Sequence, residues 1–216
     1  IDYIEAIKWH KLAASNKDIN SLYKIGTFYQ AGKGVEQDYA EALKWYQQAV
    51  AAGVIKAEKA LGDMYYEGLG VEQDYQEAWK WYKKAVKQDH AGAQYMIGIM
   101  YQDGKVAKQH DGRAVRWLKK SARQDYAPAS LHLGYMYRNG EGVKLNYKKA
   151  ILWFKQAAAQ ENTKEQAEAE YELGEMYYEG KGVKQDYREA LKWFKRAVEH
   201  GREDDKSYIE KLETML

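Results

Sequence analysis

The segment Ser21-Leu22-Tyr23-Lys24 has the residue types and spacing of a known nucleophile motif, because it matches S-x-x-K. In penicillin-binding enzymes and class A β-lactamases the serine of this motif is the nucleophile, and S-D-N and K-T-G segments accompany it. Neither companion segment occurs among the 216 residues. Ser21 also stands at a position where related segments of this chain have alanine, which favours a packing role. Hydrolysis of a β-lactam or of peptidoglycan through Ser21 and Lys24 is therefore the alternative hypothesis.

The pattern of histidines and glycines, and the absence of cysteine, predict no other reactive site. The repeated G-x-G-V segments lack the third glycine and the preceding strand of a phosphate-binding loop, so no cofactor is expected. Cysteine is absent, which excludes thiol chemistry and fits either the cytoplasm or the periplasm. A metal site is not predicted either, since no two histidines form an i, i+4 pair with a supporting carboxylate. The five are His10, His90, His110, His132 and His200.

Certain residue types recur along the chain at a step of 36 residues, with one step of 40 near the end. Self-similarity at such a period is the signature of a repeat protein, in which each unit contacts only its neighbours. The recurring positions are glycine at 26, 62, 98, 134 and 174, tryptophan at 9, 45, 81, 117, 153 and 193, tyrosine at 29, 65, 101, 137 and 177, and alanine at 42, 78, 114, 150 and 190.

Each repeat is predicted to consist of two helices. In residues 57–65 and again in residues 78–85 the apolar side chains have the spacing of one helical face. Trp81 lies on the second of these faces and is expected in the core. Gly62 falls in the middle of the first helix, where glycine costs about 1 kcal/mol relative to alanine. Its recurrence predicts that the two helices approach each other closely there.

The link between the two helices contains helix-ending and helix-starting signals. Gly68 and Gly70 are suited to the positive φ angles that end a helix and turn the chain. Asp74 is predicted to cap the next helix by accepting from its free amides, with Glu77 reaching back in a capping box. The two helices should therefore pack as an antiparallel hairpin.

Residues 61–86, LGDMYYEGLGVEQDYQEAWKWYKKAV, resemble the Sel-one-like repeat (SLR), a relative of the tetratricopeptide repeat (TPR). The resemblance covers essentially the whole chain. It implies an all-α fold, an α/α superhelical solenoid of TPR-like helix-turn-helix repeats. It also implies that the first helices line a concave face used for binding proteins or peptides and for assembling complexes. Members of the family serve as bacterial regulators and as inhibitors of secreted toxins.

The chain is predicted to form one continuous solenoid. Its parts are 1–18, the second helix of a repeat whose first helix is missing; 19–53, 54–89, 90–125, 126–165 and 166–201, repeats one to five; and 202–216, a C-terminal capping helix. The third repeat has Val106 for a loop glycine and His110 for the capping aspartate, so Asp111 is expected to take over the cap. The fourth has Pro128 in its first turn and Asn146 as cap, and four inserted residues follow it.

Composition narrows the class of partner. Thirty-four Lys and Arg against 32 Asp and Glu leave a net charge of +2, which does not favour nucleic acid. There is no apolar run long enough to span a membrane. We expect a monomer that binds a protein or peptide and is not an enzyme. A purely structural or designed repeat array is the remaining alternative.

Comparison of the repeats with one another predicts where the partner binds. One stripe of the first helix, apart from the packing residues, changes from copy to copy. It holds apolar residues in the middle copies and only glutamates in the fifth, which predicts a partner with an apolar anchor and a basic flank. The candidate partner-binding residues are Lys24, Thr27, Ala60, Asp63, Met96, Ile99, His132, Tyr135, Glu172 and Glu175. The second helices carry a basic stripe, interpreted mainly as a solvated face.

Overall fold

The computed structural model describes residues 2–106, 108–161, 163–202 and 206–216. Parts of the predicted third-repeat loop, of the insertion and of the final segment, at Ala107, Asn162 and 203–205, lie outside the described residues. The described residues form helices and no strand, so the predicted all-α helical-repeat fold is confirmed. The helices are α1 (Tyr3–Ser15), α2 (Ile19–Ala31), α3 (Tyr39–Ala51), α4 (Ile55–Glu67), α5 (Tyr75–Lys87), α6 (Ala91–Gln102), α7 (Asp111–Ala122), α8 (Ala127–Asn139), α9 (Tyr147–Ala158), α10 (Lys164–Glu179), α11 (Tyr187–Glu199) and α12 (Lys206–Met215).

The chain divides into two compact units. Unit 1 comprises residues 1–97 and 105–107, and unit 2 comprises residues 98–104 and 108–216. Unit 1 contains α1 to α5 and the first half of α6, and unit 2 contains the rest of α6 and α7 to α12. Within each unit, consecutive helices pack against each other in pairs, as in a helical-repeat solenoid. That the two units form one continuous solenoid stays a prediction.

The glycine in the middle of each first helix lies against a large side chain of the second helix. A Cβ atom on Gly62 would lie 2.4 Å from Cε1 of Tyr82, and one on Gly134 would lie 2.3 Å from Cε1 of Phe154. Such distances leave no room for a side chain. The predicted close approach is confirmed, and burial of the aromatic ring, which contributes roughly 1.5–3 kcal/mol, offsets the cost of glycine in a helix. The same pairing joins Gly26 to Tyr46, Gly98 to Leu118 and Gly174 to Phe194.

The buried aromatic residue is the one that follows the recurring tryptophan. Tyr82 and Phe154 are fully buried, whereas Trp81 and Trp153 are half-buried at the edge of the core. The expectation that Trp81 occupies the core is therefore only partly right. One step along a helix turns a side chain by about 100°, so the residue that faces Gly62 directly is Tyr82.

The predicted helix caps form, with one change. The carboxylate of Asp74 accepts from the amides of Gln76 and Glu77 at 2.8 and 3.0 Å, and Gly68 ends α4 in the left-handed conformation. The amide of Asp74, however, donates to the carbonyl of Tyr65 at 2.9 Å. Because this amide already has an acceptor, Glu77 does not complete a capping box and instead pairs with the Lys80 ammonium at 2.8 Å.

In the third repeat His110 itself is the cap, and the expectation that Asp111 replaces it is wrong. The Nδ1 atom of His110 accepts from the amide of Arg113 at 3.2 Å, and Asp111 is the first residue of α7. An imidazole nitrogen two bonds from Cβ reaches the same amide that a carboxylate oxygen would reach. Asn146 caps α9 through the amide of Lys149 at 2.9 Å, and Pro128 lies in the first turn of α8, as predicted.

The insertion lengthens a helix. Thr163 caps α10, which has 16 residues where the other first helices have 12 or 13. At the C-terminal end α12 packs on the fifth repeat, with Leu212 fully buried and the Tyr208 ring stacked on Phe194 at 5.1 Å. Met215, the last residue of α12, is half exposed.

Candidate protein-binding surfaces

The candidate partner-binding residues all lie on the first helices of the repeats, and this set is here called the first-helix stripe. Each unit contains five of them, and the two groups are described separately. Unit 1 holds Lys24 and Thr27 on α2, Ala60 and Asp63 on α4, and Met96 on α6. Unit 2 holds Ile99 on α6, His132 and Tyr135 on α8, and Glu172 and Glu175 on α10.

In unit 1 the stripe offers little apolar surface. Lys24 is exposed, and the Thr27 hydroxyl donates to the carbonyl of Lys24 at 2.7 Å. Ala60 is only 8% exposed, so its methyl group belongs to the packing between helices. Met96 is half-buried.

Asp63 shows that the stripe is not separate from the packing residues, contrary to the sequence-based interpretation. Its carboxylate accepts from the hydroxyl of the core residue Tyr82 at 2.9 Å and from the Lys59 ammonium at 2.6 Å. Burial raises the pKa of Asp63 above its ordinary value, and the nearby charge of Lys59 acts against that rise. Asp63 thus satisfies a core hydroxyl as well as presenting a charge.

In unit 2 the aromatic residue of the stripe is held from three sides. The Tyr135 ring packs edge-on against Phe154 at 5.5 Å, and the Arg138 guanidinium lies 5.0 Å from the ring centre. The hydroxyl donates to Glu168 at 2.8 Å. Burial and the neighbouring charge of Glu172 raise the pKa of Tyr135 above its ordinary value. Tyr135 therefore presents a fixed, partly exposed ring face.

The acidic wall predicted from the fifth repeat is largely neutralised. Glu172 is 5% exposed and forms an ion pair with Arg138. Glu168 pairs with Arg202 at 2.5 Å and Glu179 with Lys181 at 2.7 Å. The basic partners were missed because only the glutamate columns were compared. Arg138 stands where the other repeats have glutamine or tyrosine, at 30, 66, 102 and 178, and that difference is readable in the sequence.

Glu175 keeps a carboxylate beside a polar cavity. The cavity, of about 290 Å³, is lined by Arg138, Tyr147, Glu172, Glu175 and Lys181 among others. Burial raises the pKa of Glu175, and the like charge of Glu179 raises it further. The charges of Lys181 and Arg138, which also line the cavity, act against that rise, as the charge of a partner's basic side chain would.

The remaining two residues of the stripe in unit 2 differ in character. His132 lies within 2.7 Å of the Gln102 side chain through Nε2, and burial lowers its pKa below the ordinary value. Ile99 is half-buried on α6. Together with Tyr135, Ile99 gives unit 2 an apolar centre to its stripe.

Ser21 is placed as a packing residue. It is 1% exposed, its hydroxyl donates to Asp18 at 2.5 Å, and Nδ1 of His10 lies 2.9 Å from the same oxygen. Because Ser21 has one proton and gives it to Asp18, His10 must donate to Ser21 rather than accept from it. A general base has to accept that proton, so His10 is not the base for Ser21, and its hydrogen bond joins α1 to α2.

The histidines fulfil local structural roles. His90 and His110 accept backbone amides at helix starts, and His200 lies 2.6 Å from the fully buried carboxylate of Glu170. Among the described residues, no group of three or more histidine, aspartate or glutamate side chains could hold a metal ion. Nor is any helix in the described part of the chain long and apolar enough to cross a membrane.

Comparison with known proteins agrees with this architecture. The sequence profile of a family described as Sel1 repeat matches residues 1–18, 19–54, 55–90, 91–126, 127–162 and 167–201. No protein with a curated description matches the chain.

Several solved structures are similar to this chain. A protective antigen of uropathogenic Escherichia coli with an SLR fold is 33% identical over 98% of this chain and 44% of its own, with a TM-score of 0.74; this chain therefore spans less than half of that protein. A Sel1 repeat protein from Oxalobacter formigenes is 27% identical over 99% of this chain and 93% of its own, with a TM-score of 0.83. The immunity protein Pa5087 from Pseudomonas aeruginosa is 20% identical over 92% and 75%, with a TM-score of 0.68.

Proposed function

The chain belongs to the Sel1 repeat family, which commonly mediates protein–protein interaction, and from that premise we propose that it is a non-enzymatic scaffold that binds a protein or peptide through its first-helix stripe. The observation that carries the proposal is the contrast between invariant and variable positions. The packing glycine is the same in all five repeats, whereas the stripe position of Asp63 is threonine, aspartate, isoleucine, tyrosine and glutamate in turn. Variation on one repeated scaffold is how a repeat protein acquires a specific surface.

The chemistry of the stripe in unit 2 supports a partner with an apolar anchor and a basic flank. Ile99 and Tyr135 supply apolar surface, and Tyr135 is fixed by Phe154, Arg138 and Glu168 before any partner arrives. A pre-organised aromatic residue loses little conformational entropy on binding. Glu175, whose carboxylate borders a polar cavity, is the acceptor for the basic flank.

The finer form of the proposal is a bacterial regulator or an inhibitor of a secreted toxin. The immunity protein Pa5087 has the same fold, but at that identity the similarity extends to the fold alone.

The test is affinity capture from a native bacterial lysate followed by mass spectrometry and titration of the captured partner. Glu175→Lys reverses the charge offered to the basic flank and should weaken binding at least tenfold. Glu72→Lys, the same reversal at an exposed loop residue of unit 1, is the matched control and should bind like the wild type. Equal affinity of all three proteins would refute the assignment of the stripe. Failure to capture any protein would favour a purely structural or designed array.

The alternative, hydrolysis of a β-lactam or peptidoglycan through Ser21 and Lys24, makes a separate prediction. It requires turnover of the chromogenic β-lactam nitrocefin by the pure protein and its loss in Ser21→Ala. The burial of Ser21 and its donation to Asp18 lead us to expect no turnover by either protein.

A further inference from the structure

We propose a second binding surface in unit 2, on its second helices, that takes an acidic peptide segment carrying one apolar side chain. The surface is a shallow recess, here called the α9 recess, lined by Lys119, Tyr137, Lys149, Leu152, Trp153 and Gln156. It is formed by α7, α8 and α9 and contains no residue of the first-helix stripe, so it stands or falls independently of the function proposed above.

The sequence of α9 departs from α3, α5 and α11 at two linked positions, whereas α7 has an arginine at both. In α5 these positions are Glu77 and Lys80, which form an ion pair at 2.8 Å. Glu41 with Lys44 and Glu189 with Lys192 repeat the pair in α3 and α11. In α9 the same positions are Lys149 and Leu152. Helix α9 thus has a cation where α5 has a carboxylate, and an aliphatic side chain where α5 has a cation.

Leu152 exposes apolar surface that the packing of the core does not require. Leu152 is 67% exposed, the highest fraction among the large hydrophobic residues of the described chain. On the opposite side of α9, Ala150 and Phe154 are fully buried, so the core of the repeat is complete without Leu152. Leu152 and Trp153 border a recess of about 360 Å³, which is large enough for one apolar side chain.

Two cations are held in place at this recess. The ammonium groups of Lys119 and Lys149 lie 5.5 and 5.3 Å from the centre of the Tyr137 ring. Cation–π attraction of this kind favours conformations that keep both lysine side chains beside the recess. A carboxylate next to an apolar side chain would therefore meet a positioned ammonium on entering.

The charge of the surrounding surface selects an acidic partner. Helix α9 contains three lysines and no acidic residue, and α7 contains four basic residues and only Asp111 as an acid. Opposite charge across an interface accelerates association and excludes partners of like charge. A peptide with glutamate or aspartate on both sides of a leucine or phenylalanine complements both the recess and its rim.

The shape of the site favours a peptide over an anionic membrane. Interfacial helices bind membranes through several apolar side chains on one face. On α9 the only apolar residue that projects strongly is Leu152, and the neighbouring aromatic rings form the walls of a recess instead. A recess receives a side chain, whereas a bilayer needs side chains that insert into it.

The test uses a fluorescein-labelled peptide with phenylalanine between two pairs of glutamates, titrated with the full chain by fluorescence anisotropy. The variant Lys149→Glu with Leu152→Lys restores the residues that α5 has at these positions and should weaken binding at least tenfold. Lys83→Gln in α5 changes the net charge by the same amount at an exposed position and should bind like the wild type. The peptide with alanine in place of phenylalanine should also bind at least tenfold more weakly.

Three results would overturn the proposal. They are equal binding of the double variant and the wild type, equal binding of the phenylalanine and alanine peptides, and a loss on mutation seen only with phosphatidylserine vesicles and not with the peptide. If the double variant melts at a lower temperature than the wild type, Leu152→Ser alone replaces it. This single change on an exposed side chain should still weaken peptide binding several-fold, and unchanged affinity would refute the site.

Discussion

The second and fourth repeats have the same interior and different surfaces. In both, a glycine of the first helix receives a fully buried aromatic ring, Tyr82 in the second repeat and Phe154 in the fourth. Tyr82 has a hydroxyl, and Asp63 of the first-helix stripe accepts from it. Phe154 has none, and the stripe there carries Tyr135, which packs on the ring. In these two repeats the residue at the stripe position thus complements the core aromatic residue that it contacts.

The second helices of these two repeats also have alike inward faces and different outward faces. Helix α5 pairs Glu77 with Lys80 on its outer face, while α9 has Lys149 and Leu152 at those positions and exposes Leu152. The inward alanines and aromatic residues are alike. The comparison indicates that packing fixes one face of each helix and leaves the others free to differ in charge and polarity.

The largest expected effect tests whether the buried aromatic residues of the second and fourth repeats contribute equally to stability. Tyr82→Ala and Phe154→Ala should each lower the free energy of unfolding by about 3–5 kcal/mol, the range for truncating a buried aromatic residue. Trp81→Ala and Trp153→Ala remove half-buried rings and should cost about 1–2 kcal/mol. Chemical denaturation of the four variants measures this. Tryptophan variants as unstable as their neighbours would show that both positions belong to the core.

A smaller effect tests the close approach of the two helices. A Cβ on Gly134 would lie 2.3 Å from Phe154, so Gly134→Ala should cost about 1–3 kcal/mol through overpacking. Gly112 also lies in a helix of unit 2, but its Cβ would be 3.4 Å from His110, an ordinary contact. Gly112→Ala should therefore be neutral or stabilise by up to about 1 kcal/mol. Thermal denaturation showing a loss in both would contradict the packing explanation.

The N-terminal caps of α5 and α9 should contribute equally to stability, although one is an aspartate and the other an asparagine. Asp74→Ala and Asn146→Ala each remove an acceptor for first-turn amides and should cost about 1 kcal/mol. The exposed loop variant Glu72→Ala, adjacent to the first cap, serves as control. A cost confined to Asp74→Ala would mean that the negative charge, rather than the hydrogen bond, stabilises the helix.

The smallest effect is a pH dependence expected from the stripe position of the second repeat, Asp63, and not from the same position of the fourth, Tyr135. Burial raises the folded-state pKa of Asp63 above the unfolded value of about 3.9, so the folded protein binds the proton more tightly. Its contribution to stability therefore falls as the pH rises from the unfolded pKa through the folded one. Asp63→Asn should remove this decline, so that the variant becomes more stable relative to the wild type as the pH rises across that window.

The comparison for Asp63 is made between wild type and variant at each pH. The titratable groups that interact with Asp63 include Lys59, Tyr82, His90, Tyr23 and Tyr46, and both proteins contain all five. A difference in melting temperature that stays constant from pH 4 to 7 would contradict the raised pKa. Tyr135 occupies the equivalent position in the fourth repeat, so Tyr135→Phe should introduce no pH dependence in that window.

The repeat period, the paired helices and the caps could be predicted from the chain because they depend on local chemistry. A glycine at a helix end, an aspartate before a first turn and apolar residues at helical spacing act within a few residues of one another. The glycine in mid-helix also gave a correct long-range inference, since its cost at Gly62 has no local explanation. The same reasoning favoured Trp81 over Tyr82, because helical spacing defines a face about 100° wide and cannot rank two adjacent residues on it.

What only the tertiary structure decided was which side chains of the variable stripe are free to act. The column comparison marked Glu172 and Asp63 as exposed charges, but Arg138 covers the first and Tyr82 binds the second. These partners come from another helix, 34 residues earlier for Glu172 and 19 residues later for Asp63. Charge pairing and burial depend on distances across helices, which a sequence period does not contain. The sequence by itself determined the repeated scaffold, and contacts between helices determined which parts of its surface remain available to a partner.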